Sequence, residues 1–314
     1  MTLAEDLRDA VLQCAVEGKL SSPNLSDTPV KVTLHELHKI KTDLIKSKII
    51  KGGKLSASDE TVPFNIPETW EWVKLFDIGE LARGKSKHRP RNDEILYIGG
   101  TIPLVQTGDV ASANKYITSY TTCYNEVGLA QSRLWKAGTL CITIAANIGD
   151  VAILGFDACF PDSVLGFQPF SHEVNIEYVY YMLLAYKRRM NAKATKVAQS
   201  NLSLEKINTL LFPFPPIEEQ CRIVNRVGQL MAQIDEYEKM ESELTSLKEA
   251  FPSDMRTAIL QAAMQGKLTE RQSGDTSPCV MIDSANKAIS ESLDGQRVKK
   301  KNAHLHMVPE RSMI

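Results

Sequence analysis

Pro215-Pro216-Ile217-Glu218-Glu219-Gln220-Cys221-Arg222-Ile223-Val224 opens a stretch that runs to Phe251. Proline suits the first turn of a helix, where its missing N–H has no intrahelical partner to lose. Apolar residues then return at Ile223, Val227, Leu230, Ile234, Tyr237, Met240, Leu244, Leu247 and Phe251. Steps of three and four put them along one narrow face of a helix. Pro252 is expected to stop it. At 1.5 Å per residue such a helix is roughly 50 Å long. An apolar seam of that length needs a partner, so the stretch is read as a coiled-coil arm.

Upstream of the arm the texture changes. Pro67-Glu68-Thr69-Trp70-Glu71-Trp72-Val73-Lys74-Leu75 reads as a strand whose Trp side chains cap a core. Short apolar runs then alternate with Gly, Asn, Asp and Pro as far as Phe214. Strands are expected at Ile95 to Ile98, Ile102 to Val105, Thr139 to Ala145, Val151 to Phe156 and Val164 to Phe170. Asn175 is placed to cap a helix carrying Ile176, Val179, Tyr180, Leu183 and Leu184. Ser203 to Ile207 reads as one helical turn leading into Leu210-Leu211-Phe212. The middle of the chain is therefore a mixed α+β globule flanked by helices.

At the amino end, Thr2-Leu3-Ala4-Glu5 and Thr33-Leu34-His35-Glu36 both have capping-box spacing. Gly18 and Gly52-Gly53 are the expected stops of the two helices, and residues 56–60 read as a linker. The expected division is 1–60 helical, 61–214 globular, 215–270 long helix and helical repeat, and 271–314 a polar tail.

The chain contains a repeat. Leu7 to Leu20 and Met255 to Leu268 are identical at eight of fourteen positions, at a fixed offset of 248 residues. The register continues beyond them, with Asp27-Thr28 on Asp275-Thr276, Val32 on Val280 and Leu34 on Ile282. Two copies of one helical unit thus flank one globular domain.

A formal net charge of −1 conceals segregation. Residues 83–91 hold five Lys or Arg and no acid, whereas the long helix is mostly acidic. A basic body and an acidic arm imply two kinds of partner. Six cysteines without a Cys-x-x-Cys pair argue against structural zinc and for a reducing, cytoplasmic setting. The amino terminus is unlike a signal peptide, and no apolar run is long enough to span a bilayer.

Catalytic signatures are missing. There is no Gly-rich cofactor loop, no phosphate-binding loop and no Asn- or Asp-Pro-Pro-aromatic motif to hold a target amine. Residues fit for phosphate and base-edge contacts are grouped instead in four loops. These are Arg83, Lys85, Lys87, Arg89 and Arg91; Gln106 and Thr107; Gln131, Ser132 and Arg133; and Lys193, Thr195, Lys196, Gln199, Ser200 and Asn201.

Taken together the chain resembles the specificity subunit of type I restriction–modification systems. The resemblance rests on Leu7-Arg8 through Gly18-Lys19-Leu20, Pro67-Glu68-x-Trp70-x-Trp72-Val73-x-Leu75 and Ile102-Pro103-Leu104-Val105-x-Thr107-Gly108-Asp109. It continues through Gly138-Thr139-Leu140, Gly149-Asp150-Val151-Ala152-Ile153, Asn201 to Ile207, and Pro215 to Val224. It implies a target recognition domain at 67–214 that reads one half of a bipartite DNA site, and a spacer helix at 216–251. It also implies a helical scaffold that meets methyltransferase subunits, with a restriction/translocase subunit as a further partner. The chain itself is expected to be non-catalytic and to hold no cofactor, S-adenosylmethionine residing on the methyltransferase. Such subunits usually have two recognition domains and this sequence has one, so a homodimer through the 216–251 helix is expected. The alternatives are an inactive recognition cassette, a coiled-coil adaptor that never touches DNA, and a diverged DNA-modifying enzyme.

Overall fold

The computed structural model describes residues 2–24, 26–50, 62–145, 148–193, 204–270 and 272–294. The chain divides into two compact units, one ending at Ser242 and one beginning at Glu243.

The first unit opens with α1 (Leu3–Val16). The Thr2 hydroxyl accepts from the Glu5 N–H at its start, and the Glu5 carboxylate accepts from the Thr2 N–H, so the first capping box forms as read. Gly18 ends the helix at φ +71°, in the left-handed region that disfavours a side chain. A Cβ there would also lie 2.6 Å from the Pro67 ring, so this glycine lets the two segments touch.

The second capping box does not form. α2 runs Val30–Lys46, beginning three residues before Thr33, and Pro29 at its N-cap makes no side-chain bond. Val30, Thr33 and Leu37 are buried on one face, and that burial sets where the helix starts. The Gly52-Gly53 stop and the 56–60 linker lie outside the described residues.

The globule follows in strands β1 (Glu71–Val73) and β2 (Gly79–Arg83), separated by the one-turn helix α3 (Leu75–Ile78). Next come β3 (Ile102–Leu104), α4 (Thr107–Ser112), β4 (Tyr116–Ile117), β5 (Thr122–Tyr124) and α5 (Glu126–Ala130). β6 (Leu134–Trp135), β7 (Leu140–Thr143), β8 (Val151–Leu154), β9 (Ala158–Cys159) and β10 (Val164–Pro169) complete two sheets. One has the order β2-β10-β7-β8-β4 and the other β5-β3-β9-β6. Ile95 to Ile98 is not a strand. Asp93 caps a 3-10 turn at Glu94–Leu96 by accepting from the Ile95 N–H, so the local cap overrides the apolar pattern.

α6 (Ile176–Lys193) starts after Asn175, whose side-chain Oδ1 accepts from the Glu177 and Tyr178 N–H groups, as expected for a cap. α7 (Leu204–Thr209) leads to β11 (Phe212–Phe214), which returns to pair antiparallel with β1. Leu12, Val16, Trp70, Phe167, Tyr178, Phe212, Phe214, Ile223 and Val227 share the main core, so the amino-terminal helices and the start of the long helix pack into the globule itself.

The long helix, α8, spans Ile217–Met264. Pro252 lies inside it rather than ending it, because residues 253–264 return to strongly helix-forming sequence. Within the first unit its seam is covered at Ile223, Val227 and Ile234. From Met240 through Leu244, Leu247 and Phe251 the same face is exposed.

In the second unit, α8 ends at Gly266 (φ +67°), and α9 follows at Pro278–Asp294. The expected polar tail is therefore in part a helix; residues 295–314 lie outside the description. The hydrogen bonds repeat with the sequence. Gly18 and Lys19 donate to Ala15 and Cys14, and Gly266 and Lys267 donate to Ala263 and Ala262, 248 positions later. Asn24 pairs with Asp27 as Gln272 pairs with Asp275. α2 and α9 are both 17 residues long and begin and end in the same register. The duplication thus extends through two helices and the loop between them.

Candidate nucleic-acid interface

Three of the four loops singled out in the sequence meet at one end of the four-stranded sheet. Leu104 faces Thr122 and Cys159, and Leu134 faces Cys159, forming one row across β5-β3-β9-β6. Beyond that row β3 runs on to Gln106, β9 runs on to Asp162, and Ser132 and Arg133 lead into β6. The Gln106 side-chain amide donates to the Thr122 hydroxyl at 3.2 Å.

The basic loop crosses this end. Gly84 passes so close to the Phe160 and Pro161 carbonyls that a Cβ would lie within 2.4 Å of them. The Lys87 and His88 N–H groups donate to the Gln131 side-chain oxygen at 2.6 and 3.1 Å, and the Ser132 hydroxyl donates to the Lys85 carbonyl at 2.9 Å. Residues 83–91 and 131–133 are thereby one platform.

Its cations differ in their engagement. The Arg91 Nη2 donates to both carboxylate oxygens of Asp162, at 2.7 and 2.8 Å. Arg89 folds back onto the Ser86 and His88 carbonyls. His88 bonds Asp93 and, with the Ile95 N–H, holds that carboxyl below its ordinary range. Arg83, Lys85 and Lys87 are exposed and make no ion pair among the described residues. Arg133 is committed elsewhere. It pairs bidentately with Glu80 at 2.6 and 2.8 Å and lies 3.8 Å over the Trp135 ring, which stacks on Phe160. Its guanidinium braces the sheet, leaving Arg83, Lys85 and Lys87 as the platform's cations without an ion pair among the described residues.

Lys193 falls at the end of α6. Thr195, Lys196, Gln199, Ser200 and Asn201 lie outside the described residues. Sequence reasoning missed Thr122 and Asp162, which join the site only through strand register and carry no local signal.

The helix-opening motif at Pro215 does a different job. The buried Glu219 carboxylate accepts from the Trp70 indole at 2.9 Å and from the Ser21 hydroxyl at 2.6 Å. Glu218 accepts from the Thr28 N–H and hydroxyl. Arg222 grips Asp27 at 2.9 and 2.6 Å, which lowers the Asp27 pKa and raises its own. Gln220 accepts from the Asn175 N–H and so positions the start of α6. Farther along, Arg8 bonds both Asp235 and Glu238 at 2.6 Å. These residues clamp the amino-terminal segment onto the body.

No group of side chains among the described residues is arranged to hold a metal, and no helix among them is long and apolar enough to cross a membrane.

Three small sheets, a cationic platform at one sheet end, and a long helix clamped at its root make up an α+β body with helices before and after it in the chain. The family described as "Type I restriction modification DNA specificity domain" matches residues 67–246, more than half of the chain, and the chain belongs to that family. It is 28% identical over 292 residues to the type I restriction enzyme EcoAI specificity subunit of Escherichia coli, covering 85% of this chain and 44% of that protein. It is 28% identical over 264 residues to the EcoEI specificity subunit of the same species, covering 77% of this chain and 41% of that protein. The chain thus spans less than half the length of these relatives. Among solved structures, the HsdS subunit from Thermoanaerobacter tengcongensis is 17% identical with a TM-score of 0.48, covering 84% of this chain and 56% of that one.

Proposed function

We propose that this chain reads one half of a bipartite duplex DNA target and scaffolds the subunits that act on it. The carrying observation is the convergence of residues 83–91, 106–107 and 131–133 at one sheet end, with Arg83, Lys85 and Lys87 exposed and without ion pairs among the described residues. Free cations at a loop platform suit phosphate contacts, and the neighbouring Gln106 and Thr107 suit base edges. The chain carries no chemistry of its own in this reading. Adenine methylation, with its S-adenosylmethionine, belongs to methyltransferase subunits, and cleavage belongs to a restriction/translocase subunit. Six unpaired cysteines support a cytoplasmic setting.

The exposed seam from Met240 to Phe251 supports a homodimer through the long helix. Two identical readers related by a two-fold axis select an interrupted palindrome. The test is duplex binding by fluorescence anisotropy across a salt series. Affinity that falls steeply with salt supports the reading, because phosphate contacts release counterions. Absence of salt-dependent binding, with methyltransferase docking retained, overturns it in favour of a coiled-coil adaptor. Methylation found only at asymmetric sites would overturn the homodimer.

A further inference from the structure

The repeat carries more than a shared shape. Residues 7–34 form a first tongue held in a seat on the body. Its polar grips are Arg8 to Asp235 and Glu238, Ser21 to Glu219, Asp27 to Arg222, and Thr28 to Glu218. At an offset of 248 the second tongue, residues 255–282, has Arg256, Thr269, Asp275 and Thr276. Every one of these groups is thus kept in kind. Gly266, with the same positive φ, stands where Gly18 lets Pro67 and Trp70 approach.

The apolar side matches too. Leu12 is 1% exposed in the seat, whereas its counterpart Leu260 is 57% exposed. Met264 and Ile282, the counterparts of the buried Val16 and the half-buried Leu34, are likewise exposed, whereas Val280 is exposed as its counterpart Val32 already is. At one point the second tongue is the better occupant. The Thr33 hydroxyl is buried with no hydrogen-bond partner among the described residues, which costs stability, and Met281 stands in its place with nothing to satisfy. Beyond the tongues, farther along α2, the first copy has the advantage at Leu37 and Lys41, since Ala285 and Ile289 replace them and the Lys41 pair with Asp77 has no counterpart.

We propose that the second tongue is an exchangeable docking element, and that its occupant is the seat on the body of a second copy of this chain. There Asp275 meets Arg222, Thr276 meets Glu218, and Thr269 meets Glu219, displacing the partner's own residues 7–34. A nearly equal trade of contacts is the physical setting for exchange between protomers. Tethering favours the chain's own first tongue when dilute, so the exchanged form grows with concentration. This goes beyond the DNA-reading proposal and stands whether or not the seam at Met240 to Phe251 pairs.

Hydrogen exchange on the unmodified full chain, across a concentration series spanning association, is the first test. Protection should rise in 255–282 and fall in 7–20 as the chain associates. Association that leaves 255–282 as exchangeable as in the dilute chain overturns the proposal, as does absence of association. Protection confined to 240–251 supports the seam reading alone and equally overturns this one. A second test mixes two full-length variants, Arg222→Asp and Asp275→Arg. The mixture should associate about tenfold more tightly than either variant by itself, as expected when a charged hydrogen-bonded pair is restored. A mixture no tighter than its components counts against the seat.

Discussion

The Trp70 indole N–H and the Glu219 carboxylate meet at 2.9 Å in the interior, though 149 residues apart in sequence. The same carboxylate takes the Ser21 hydroxyl, so one side chain ties the amino-terminal segment, the entry to β1 and the root of α8. Glu219→Ala leaves a buried indole N–H without an acceptor, and should cost about 1–3 kcal/mol. Glu219→Gln keeps an acceptor and should cost less. Calorimetric midpoints that fall equally for the two variants would contradict this role.

Asp27 and Arg222 make the clamp pH-dependent. The paired guanidinium lowers the Asp27 pKa in the folded chain. A carboxyl whose folded pKa is depressed contributes stability above its unfolded pKa of about 3.9, and that contribution is lost as pH falls through the folded value. Asp27→Asn should therefore destabilise at neutral pH, and the gap to the parent chain should narrow in acid. Denaturant midpoints at pH 7 and near pH 3 read this directly; a gap that stays constant would assign the stabilisation to something other than charge.

Lys85 and Arg133 should separate binding from stability. Lys85→Gln and Lys87→Gln leave the platform's backbone bonds in place. Each should reduce the slope of log affinity against log salt by about 0.9, the expected share of one phosphate contact. Arg133→Gln strands the Glu80 carboxylate and unstacks Trp135, so its first effect should be a lower thermal midpoint. An Arg133 variant as stable as the parent, yet weak on DNA, would move this residue from brace to reader.

Leu244 and Leu247 lie on the exposed part of the seam. Leu244→Asp combined with Leu247→Asp should shift the mass measured by light scattering toward the monomer while leaving the thermal midpoint of the body unchanged. A variant that keeps the parent's oligomeric mass would show that the seam is not the contact.

The sequence was legible where a pattern is local or repeated. The three- and four-residue spacing from Ile223 marked α8, the Thr2–Glu5 spacing marked its capping box, and the fixed offset announced two equivalent helical units. It misled where a local rule met a competing one. Pro252 reads as a stop, yet the helix-forming residues after it carry α8 onward to Met264. Ile95 to Ile98 reads as a strand, yet the Asp93 side chain captures the Ile95 N–H first. Polar composition hid α9, although its register with α2 was present in the repeat. The interface was half visible. Residue types suited to nucleic acid could be picked out loop by loop, but their meeting depends on how Leu104, Thr122, Leu134 and Cys159 align across a sheet. No single segment encodes that alignment. The motif at Glu218 to Arg222 is legible as a helix opening, but only the fold shows those side chains turned inward on the amino-terminal segment.

The platform at residues 83–91 is held by main-chain groups of Lys85, Lys87 and His88, gripped by Gln131 and Ser132. The shape of that part of the loop is therefore set without the side chains of Lys85 and Lys87. Those two side chains can be exchanged one at a time while the frame that presents them stays put. On the proposed reading, the strength of the phosphate grip can therefore be tuned by point mutation at Lys85 and Lys87 without disturbing the frame, while base preference is left to other positions such as Gln106 and Thr107.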